Sequence, residues 1–414
     1  MTVGPGSVAT PGTLRALDHT HRRYGRAPWP GVVAPAVEAA RDGFPLGHAT
    51  HSYLEYVHLD VFGWHPDSHA VLHDRDGALL PRGATVVVPH LAESVQLLAT
   101  EGSEALHAGA LGRAITDHLA DHGGILTVAD LAAYRAVERP ALALERSGWR
   151  LATNPAPAAG GVCLAALLAL LDGRPRHGSW GVDELQHLVG CQHDVFGAGI
   201  GNHEDEDGRT TAARALLAHA LGSPSTAHVS AVDDDGTACA VTVSSGYSSG
   251  VLVPGTGIWL NNCLGEQELV REVHGLAPGT RLGSNMAPTV GRRDADGAVL
   301  AIGSPGSDRI VSALAQVLAL YVSGGLELAD AVAHPRAHVR VRDGADPPAQ
   351  VDHEADLELP ADIGLPTRSM DPRSMYFGGV AAALWSPRDG LTAAGDPRRT
   401  GAVAVTGADA AHAR

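Results

Sequence analysis

One hydroxyl residue in this chain stands where a strand is predicted to begin, directly after a connector rich in glycine, serine and proline. Thr226 follows residues 222–225 (GSPS) and opens residues 226–232, in which polar and apolar side chains alternate. If the bond between Ser225 and Thr226 were cleaved, the freed α-amine of Thr226 could take the proton of its own hydroxyl, so one residue would supply both base and nucleophile. A threonine at a strand start is by itself more often structural, so this spacing alone does not decide the function.

The elements around the connector predict how such a residue would be positioned. Downstream, two alternating runs at 228–232 and 237–243 flank an Asp-Asp-Gly turn, which predicts a β-hairpin. Strand-like runs recur at 339–342 and 380–385. Apolar spacing predicts helices within 12–44, within 91–121, and at 128–134, 160–171, 183–196, 210–221 and 309–322. Helices, a hairpin and further strands in this order favour a layered α+β fold.

Composition excludes several classes of partner. The 414 residues carry 30 Lys and Arg against 46 Asp and Glu, a formal charge of −16, which argues against nucleic acid or an anionic membrane surface. The cysteines show no CxxC spacing, so no zinc site is predicted, and we expect neither metal nor cofactor. No stretch has the length and apolarity of a membrane span, and no signal peptide is visible in the first residues. We therefore expect a cytoplasmic protein.

Several short motifs resemble the γ-glutamyltransferase family and occur in the family's order across nearly the whole chain. Residues 226–233 (TAHVSAVD) resemble the segment at the family's processing site, and residues 253–262 (VPGTGIWLNN) resemble its Pro-Gly-Thr-Gly segment. Weaker matches lie upstream of the connector. The remaining motifs on which the resemblance rests are residues 286–289 (MAPT), 303–310 (GSPGSDRI), 396–399 (DPRR), 11–13 (PGT), 123–127 (GGILT) and 130–134 (DLAAY).

The resemblance implies a four-layer αββα Ntn-hydrolase fold and a zymogen that cleaves itself autocatalytically between Ser225 and Thr226. A large subunit of residues 1–225 and a small subunit of residues 226–414 would result. The implied activity is hydrolysis or transfer of a γ-glutamyl group from a small molecule or peptide, as in glutathione metabolism. The two subunits of one precursor would be partners of each other, with no nucleic acid or membrane involved.

The resemblance also implies roles for single residues. Thr226 matches the nucleophile, and Ser244 matches a threonine that hydrogen-bonds near it. Gly306 and Ser307 match a glycine pair whose backbone N–H groups form an oxyanion hole, where each donor contributes about 3 kcal/mol. Ser307 replaces the second glycine, and its N–H keeps this role only if its backbone conformation is preserved.

Four further residues match positions that bind the substrate. Asn262 and Glu266 lie in the segment whose last acid binds the α-amino group of the substrate. Ser284 and Asn285 stand where a serine pair binds the α-carboxylate.

Recognition residues depart from the family pattern more than the nucleophile and oxyanion motifs do. Gly246 replaces an asparagine, Cys263 replaces Glu or Gln, and Gly265 replaces an acid. The arginine that clamps the α-carboxylate in the family has no counterpart in this chain. Losing buried polar partners weakens discrimination between substrates, so the reaction class is better supported than the substrate.

Two alternatives therefore stay open beside a γ-glutamyl-type amidohydrolase or acyltransferase. The first is a family member adapted to another bond, such as a glutaryl-type amide or a carbon–carbon bond in secondary metabolism. The second is a catalytically inactive homologue that acts as a binding or scaffold protein. Self-cleavage and turnover of a γ-glutamyl anilide distinguish the three hypotheses.

Overall fold

The structure of the chain is a computed structural model that describes residues 2–171, 179–197, 226–266, 277–341 and 347–406. The predicted helix at 210–221 and Ser225 lie outside these ranges. The chain forms two compact units, each made of two segments. Unit 1 comprises Met1–Glu138 and Ser244–Leu282, and unit 2 comprises Arg139–Val243 and Gly283–Arg414. The predicted boundary after residue 225 is a cleavage site between two subunits and not a boundary between compact units. It therefore stays a prediction.

The described ranges contain twelve α-helices and fifteen strands, numbered along the chain. The helices are α1 (Thr13–Tyr24), α2 (Trp29–Asp42), α3 (His48–Val57), α4 (Pro66–Leu72), α5 (Leu91–Glu101), α6 (Glu104–His107), α7 (Ala110–Asp121), α8 (Val128–Ala133), α9 (Ala159–Leu170), α10 (Val182–Phe196), α11 (Arg309–Leu318) and α12 (Leu328–Ala333). The strands are β1 (Phe44–Pro45), β2 (Thr85–Val86), β3 (Leu142–Arg146), β4 (Trp149–Thr153), β5 (Thr226–Val232), β6 (Ala238–Ser244), β7 (Leu252–Val253), β8 (Ile258–Trp259), β9 (Thr289–Arg293), β10 (Val299–Gly303), β11 (Ala337–Val341), β12 (Ala349–Glu354), β13 (Thr367–Met370), β14 (Ala381–Ser386) and β15 (Gly390–Gly395).

Unit 1 is mainly helical and contains α1 to α8, the ribbon β1–β2 and the ribbon β7–β8. Its apolar side chains form two clusters, and neighbouring residues of β7 belong to different ones: Val253 packs in the first and Leu252 in the second. Successive side chains of a strand point to opposite faces, which explains the division. The second segment of unit 1 is thereby fixed among the helices of the first.

Unit 2 is built on a six-stranded sheet in the order β15-β14-β10-β9-β4-β3. Leu300 and Ile302 of β10 pack in the main apolar core with α9, α10 and α11. The alternate residues of β10 face the other side of the sheet, where β5 packs against β10 and β14. Within unit 2, helices, sheet and hairpin thus form successive layers.

The main predictions for the elements are confirmed, including the α+β class. Thr127 caps α8, because its side chain accepts a hydrogen bond from the backbone N–H of Asp130, and the carboxylate of Asp130 accepts one from the backbone N–H of Thr127. The predicted hairpin is β5–β6. Among the residues that the structure describes, no helix has the length and apolarity needed to cross a membrane.

Candidate active site

Thr226 is the first residue of β5 and is buried. Along β5, side chains alternate between more and less exposed positions, so Thr226, His228 and Ser230 share the face that packs on the sheet. The Oγ of Ser230 donates a hydrogen bond of 3.0 Å to the carbonyl oxygen of Ala381 in β14. The strand that begins with Thr226 is therefore fixed to the sheet of unit 2 by side-chain contacts.

The direction of β5 over the sheet places Thr226 beside one end of β10. The ring of His228 lies over Gly303, the last residue of β10, because a Cβ at Gly303 would come within 2.1 Å of the ring. Gly236, in the turn that follows β5, lies over Val299, the first residue of β10. The two strands therefore run in opposite directions. Thr226, two residues or roughly 7 Å before His228, extends past Gly303 towards the turn that follows β10.

His228 is bound on both ring nitrogens and is a structural residue of the hairpin. Nδ1 lies 2.8 Å from the Oγ1 of Thr242 in β6, and Nε2 lies 2.8 Å from the Oγ of Ser230. Burial lowers the pKa of His228 to about 4, so the ring is neutral at pH 7. The two hydrogen bonds join β5 to β6 and leave neither ring nitrogen available as a base for Thr226.

The turn between β10 and α11 has a backbone that only glycine or a strained residue can adopt. Gly306 has φ +141°, and a Cβ on it would lie 2.7 Å from the Cα of Gly378. Ser307 has φ +64°, in the left-handed region, which costs about 1 kcal/mol for a residue with a side chain. Ser307 thus has the backbone conformation that a glycine would adopt at this position. The predicted oxyanion role of its N–H required this conformation.

A buried ionic network supports the segment that packs against this turn. The backbone N–H of Gly379 donates to the carbonyl oxygen of Pro305 over 3.2 Å. The guanidinium of Arg336 donates to the carbonyl oxygen of Phe377 over 3.0 Å and lies 2.7 Å from the carboxylate of Asp396. Because both charged side chains are almost fully buried, the network holds residues 377–379 in place behind the turn.

Ser284 and Asn285 lie in unit 2 next to the start of α9. The carbonyl oxygen of Ser284 accepts hydrogen bonds from the first backbone N–H groups of α9, and its Oγ accepts one from the N–H of Met286 at 3.2 Å. Asn285 is 7% exposed, and its Nδ2 has no hydrogen-bond partner among the described residues. Of the two predicted carboxylate-binding residues, Asn285 is thus the one whose side-chain amide N–H has no hydrogen-bond partner among the described residues.

Asn285 lines a cavity of about 30 Å³ together with Asp308 and His338, a volume sufficient for about two water molecules. Nε2 of His338 lies 3.7 Å from a carboxylate oxygen of Asp308, and Nδ1 lies 2.9 Å from the Oγ of Ser312. Burial alone would raise the pKa of Asp308, but the adjacent Arg309 and the contact with His338 outweigh it and hold that pKa well below its usual range. The carboxylate is therefore charged at neutral pH and lies next to the turn at Ser307.

Ser244 and the loop after it belong to unit 1. The Oγ of Ser244 accepts a hydrogen bond of 3.1 Å from the backbone N–H of Gly246. Gly246 has φ +68°, and a Cβ there would lie 2.2 Å from Oδ1 of Asn262 and 2.4 Å from Oε1 of Glu266. The missing side chain at Gly246 therefore leaves the space that the Glu266 carboxylate occupies.

Asn262 and Glu266, the two predicted recognition residues of this loop, are both fully buried. Oδ1 of Asn262 accepts a hydrogen bond of 2.6 Å from the N–H of Tyr247, and its Nδ2 donates to the carbonyl oxygen of Thr2 over 3.1 Å. Burial, together with the nearby carboxylate of Glu266, raises the pKa of the Cys263 thiol to about 12. Cys263 is therefore an unreactive, protonated thiol at neutral pH.

The structure thus places Thr226, Gly306, Ser307, Ser284 and Asn285 in unit 2, and Ser244, Asn262 and Glu266 in unit 1. Sequence reasoning gave no site role to Asp308, which lies inside the 303–310 motif, and expected a structural role for His338, which lies in β11. In the part of the chain that the structure describes, no group of three or more His, Cys, Asp or Glu side chains is arranged to hold a metal ion.

Comparison with known proteins agrees with the motifs. A family model described as gamma-glutamyltranspeptidase matches residues 1–218 and 198–406. The chain belongs to the gamma-glutamyltranspeptidase family. It is 28% identical to the glutathione hydrolase proenzyme of Escherichia coli (strain K12), over 80% of this chain and 64% of that protein. It is 27% identical to the glutathione hydrolase 5 proenzyme of Rattus norvegicus, over 97% of this chain and 76% of that protein.

A solved structure with a similar fold is the cephalosporin acylase from Bacillus halodurans. The TM-score is 0.78 at 23% identity, covering 99% of this chain and 80% of that chain. The similarity supports the Ntn-hydrolase fold for this member of the gamma-glutamyltranspeptidase family. The chain spans 64% of the length of its Escherichia coli relative.

Proposed function

We propose that this chain is a hydrolase or acyltransferase that cleaves the amide of a γ-glutamyl or related acyl group through an acyl-enzyme on Thr226. The observation that carries the proposal is the direction of β5, which extends Thr226 past the end of β10 towards Gly306 and Ser307. A nucleophile and a pair of backbone N–H donors near one carbonyl carbon are what acyl transfer needs.

In the proposed reaction, the Oγ1 of Thr226 attacks the acyl carbonyl carbon while the α-amine of Thr226 accepts the hydroxyl proton. The backbone N–H groups of Gly306 and Ser307 stabilise the oxyanion of the tetrahedral intermediate. Its collapse breaks the carbon–nitrogen bond, and the amine leaves with the proton held by the α-amine. Water or a second amine then attacks the ester on Thr226, which completes hydrolysis or transfer.

The α-amine exists only after the chain is cleaved before Thr226. We propose that the same hydroxyl performs this step by attacking the carbonyl carbon of Ser225, so that an ester replaces the peptide bond and water then hydrolyses it. His228 is excluded as the base because both ring nitrogens are engaged within the hairpin. An α-amine, whose ordinary pKa is about 8, is a suitable base near neutral pH.

The test is the intact mass of the purified protein beside that of Thr226→Ala. We expect the wild type to give two chains, residues 1–225 and 226–414, and Thr226→Ala to give one uncleaved chain without turnover. Thr237→Ala serves as the matched control, because Thr237 is an exposed threonine near the turn of the same hairpin. It should be cleaved like the wild type.

A single uncleaved chain in all three proteins would overturn the proposal and favour the inactive homologue. Cleavage without turnover of a γ-glutamyl anilide would favour the second candidate, a family member that accepts another acyl group. One observation favours that candidate: Glu266, the predicted α-amino anchor, is fully buried and contacts its own loop.

A further inference from the structure

His338 lies in β11, an edge strand of the sheet β11-β12-β13 in unit 2. Two buried glutamines bind the backbone of this strand on both sides of His338. Gln316 of α11 exchanges two hydrogen bonds with the backbone of Ala337, at 2.9 and 3.1 Å. Gln192 of α10 accepts one from the N–H of Val339 over 2.9 Å and donates one to the carbonyl oxygen of Ala337 over 3.2 Å. The strand that carries His338 is therefore fixed to both helices.

The buried ring of His338 contacts two residues that lie one helical turn apart at the start of α11. Nε2 lies 3.7 Å from a carboxylate oxygen of Asp308, the N-cap residue, and Nδ1 lies 2.9 Å from the Oγ of Ser312. An acid at an N-cap commonly binds the free N–H groups of its own helix, but the side chain of Asp308 makes no such hydrogen bond. Its carboxylate contacts Arg309 and His338 and thereby joins the start of α11 to β11.

The first turn of α11 is bonded directly to the turn proposed to bind the oxyanion. The N–H of Arg309 donates to the carbonyl oxygen of Gly306 over 3.1 Å, and the N–H of Ile310 donates to that of Ser307 over 3.3 Å. Ser307 is buried with a φ of +64°, a conformation that persists only where the surroundings fix it. Because Asp308 is the next residue, a displacement of its backbone would also move Ser307.

Packing alone does not fix the side chain of Asp308. The cavity of about 30 Å³ lies beside both Asp308 and His338, and its apolar wall includes Val311 and Phe196. On this side the carboxylate has no close-packed neighbour to hold it, so its position depends on its contacts with Arg309 and His338.

We propose that His338 is a positioning residue of the reaction: through Asp308 and Ser312 it holds the first turn of α11, so that the backbone N–H groups of the preceding turn stay directed at the oxyanion. The inference rests on the proposed function for its catalytic part. Its structural part, the dependence of the turn on His338, concerns residues of unit 2 alone and can be measured without turnover.

The first measurement is kcat and KM of the cleaved enzyme for γ-glutamyl p-nitroanilide. His338→Ala should lower kcat about 30-fold and change KM by less than about twofold, because the oxyanion exists only beyond the ground state. His338→Gln keeps an N–H donor near the position of Nε2, so its kcat should stay within about fivefold of the wild type. His193→Gln, at an exposed histidine of α10, is the control and should match the wild type.

p-Nitrophenyl acetate is measured in parallel with the anilide. Its acetyl group requires no recognition residue, yet its ester still passes through an oxyanion. The same order of kcat values is expected: wild type and His193→Gln highest, His338→Gln next, and His338→Ala lowest.

A double-mutant cycle tests whether His338 acts through Asp308. Asp308→Asn and His338→Ala remove the same contact, so the double variant should be at most about twofold slower than the slower single variant. Leu171→Ala controls for a general loss of stability. Leu171 is fully buried in the main core and follows α9 at the end away from the cavity. This variant should unfold more easily but keep kcat within about twofold of the wild type.

The second measurement is deuterium exchange of the peptide that covers residues 304–312, followed by mass spectrometry. His338→Ala should exchange the amides of this peptide at least tenfold faster than the wild type, because the first turn of α11 opens more often. The peptide that covers β3 should exchange at the wild-type rate in the same variant, and His193→Gln should leave both peptides unchanged.

The outcomes separate the two proposals. Equal exchange of residues 304–312 in wild type and His338→Ala, an unchanged kcat, or an equal loss of kcat in Leu171→Ala would overturn the positioning role. An uncleaved wild type that turns over neither compound would instead refute the proposed function. Faster exchange in His338→Ala would in that case still support the dependence of the turn on His338.

Discussion

The turn at Gly306 in unit 2 and the loop at Glu266 in unit 1 both depend on a glycine that a larger residue cannot replace, yet they differ in what the glycine achieves. At Gly306 the close approach of Gly378 fixes backbone N–H groups next to the strand that carries Thr226. At Gly246 the missing side chain leaves room for the buried Glu266 carboxylate, and at Gly265 it leaves room for the carbonyl oxygen of Thr2.

The difference indicates how a family member can keep its reaction while its recognition changes. The turn proposed to bind the oxyanion depends on backbone geometry, and Ser307 keeps the left-handed conformation that a glycine would adopt there. Recognition of a substrate charge would depend on the reach and exposure of single side chains, and positions 246, 263, 265 and 266 are the ones at which the resemblance implies a change. The predictions below test this comparison, from the largest expected effect to the smallest.

Gly306→Ala should lower kcat by about 10²–10³-fold, because the Cβ would collide with Gly378 and move the N–H groups. Single-turnover kinetics on cleaved enzyme would measure it. Gly364→Ala is the control, since Gly364 also has a positive φ but a Cβ there would meet no atom of the described residues within 4 Å. Equal kcat values for Gly306→Ala and Gly364→Ala would contradict a role for the turn in the reaction.

His228 should make unit 2 less stable at acid pH. Its folded pKa of about 4 is below the ordinary 6.5, so the unfolded chain binds a proton that the folded chain does not, and stability falls as pH falls from 6.5 to 4. The loss over this window should be about 3 kcal/mol. Urea denaturation at several pH values should show a flatter dependence for His228→Gln than for the wild type or for the exposed-site control His193→Gln. Equal slopes would contradict the assignment.

Asp308→Asn should destabilise the protein by roughly 2 kcal/mol at pH 7, because it removes the negative charge that pairs with Arg309 and weakens the contact with the ring of His338. The folded pKa of Asp308 is depressed, so its stabilisation is present above the ordinary carboxyl pKa and is lost as pH falls below about 4. Denaturation of wild type and variant should therefore converge at low pH. Asp362→Asn, at an exposed aspartate, should match the wild type throughout, and a gap for Asp308→Asn that is independent of pH would refute the charge argument.

Gly246→Ala and Glu266→Asp should be coupled by about 1 kcal/mol in a double-mutant cycle of unfolding free energies. The alanine side chain collides with the Glu266 carboxylate, and a shorter acid relieves that collision. The double variant should therefore be more stable than the sum of the single changes predicts. Additive changes in the unfolding free energy would mean that the side chains at the two positions do not interact.

Much of the fold could be predicted from local pattern. The alternation at 226–232 predicted β5, and the apolar spacing at 128–134 predicted α8, because these signals depend on neighbours within a few residues. The order of strands in the sheet, with β4 beside β9 and β10 beside β14, could not be predicted, because such pairs join residues far apart in the chain.

The sequence by itself determined the family, the hydroxyl residue placed at a strand start, and the glycine-rich turn, because these are carried by residue types in a fixed order. Only the tertiary structure decided that β5 runs opposite to β10, which extends Thr226 towards that turn. It also decided that residues 2–9 contact the loop of Glu266, since this depends on contacts between segments some 260 residues apart. Packing distances of a few ångströms determine which side chains a ligand can reach, and the order of residues along a chain does not record them.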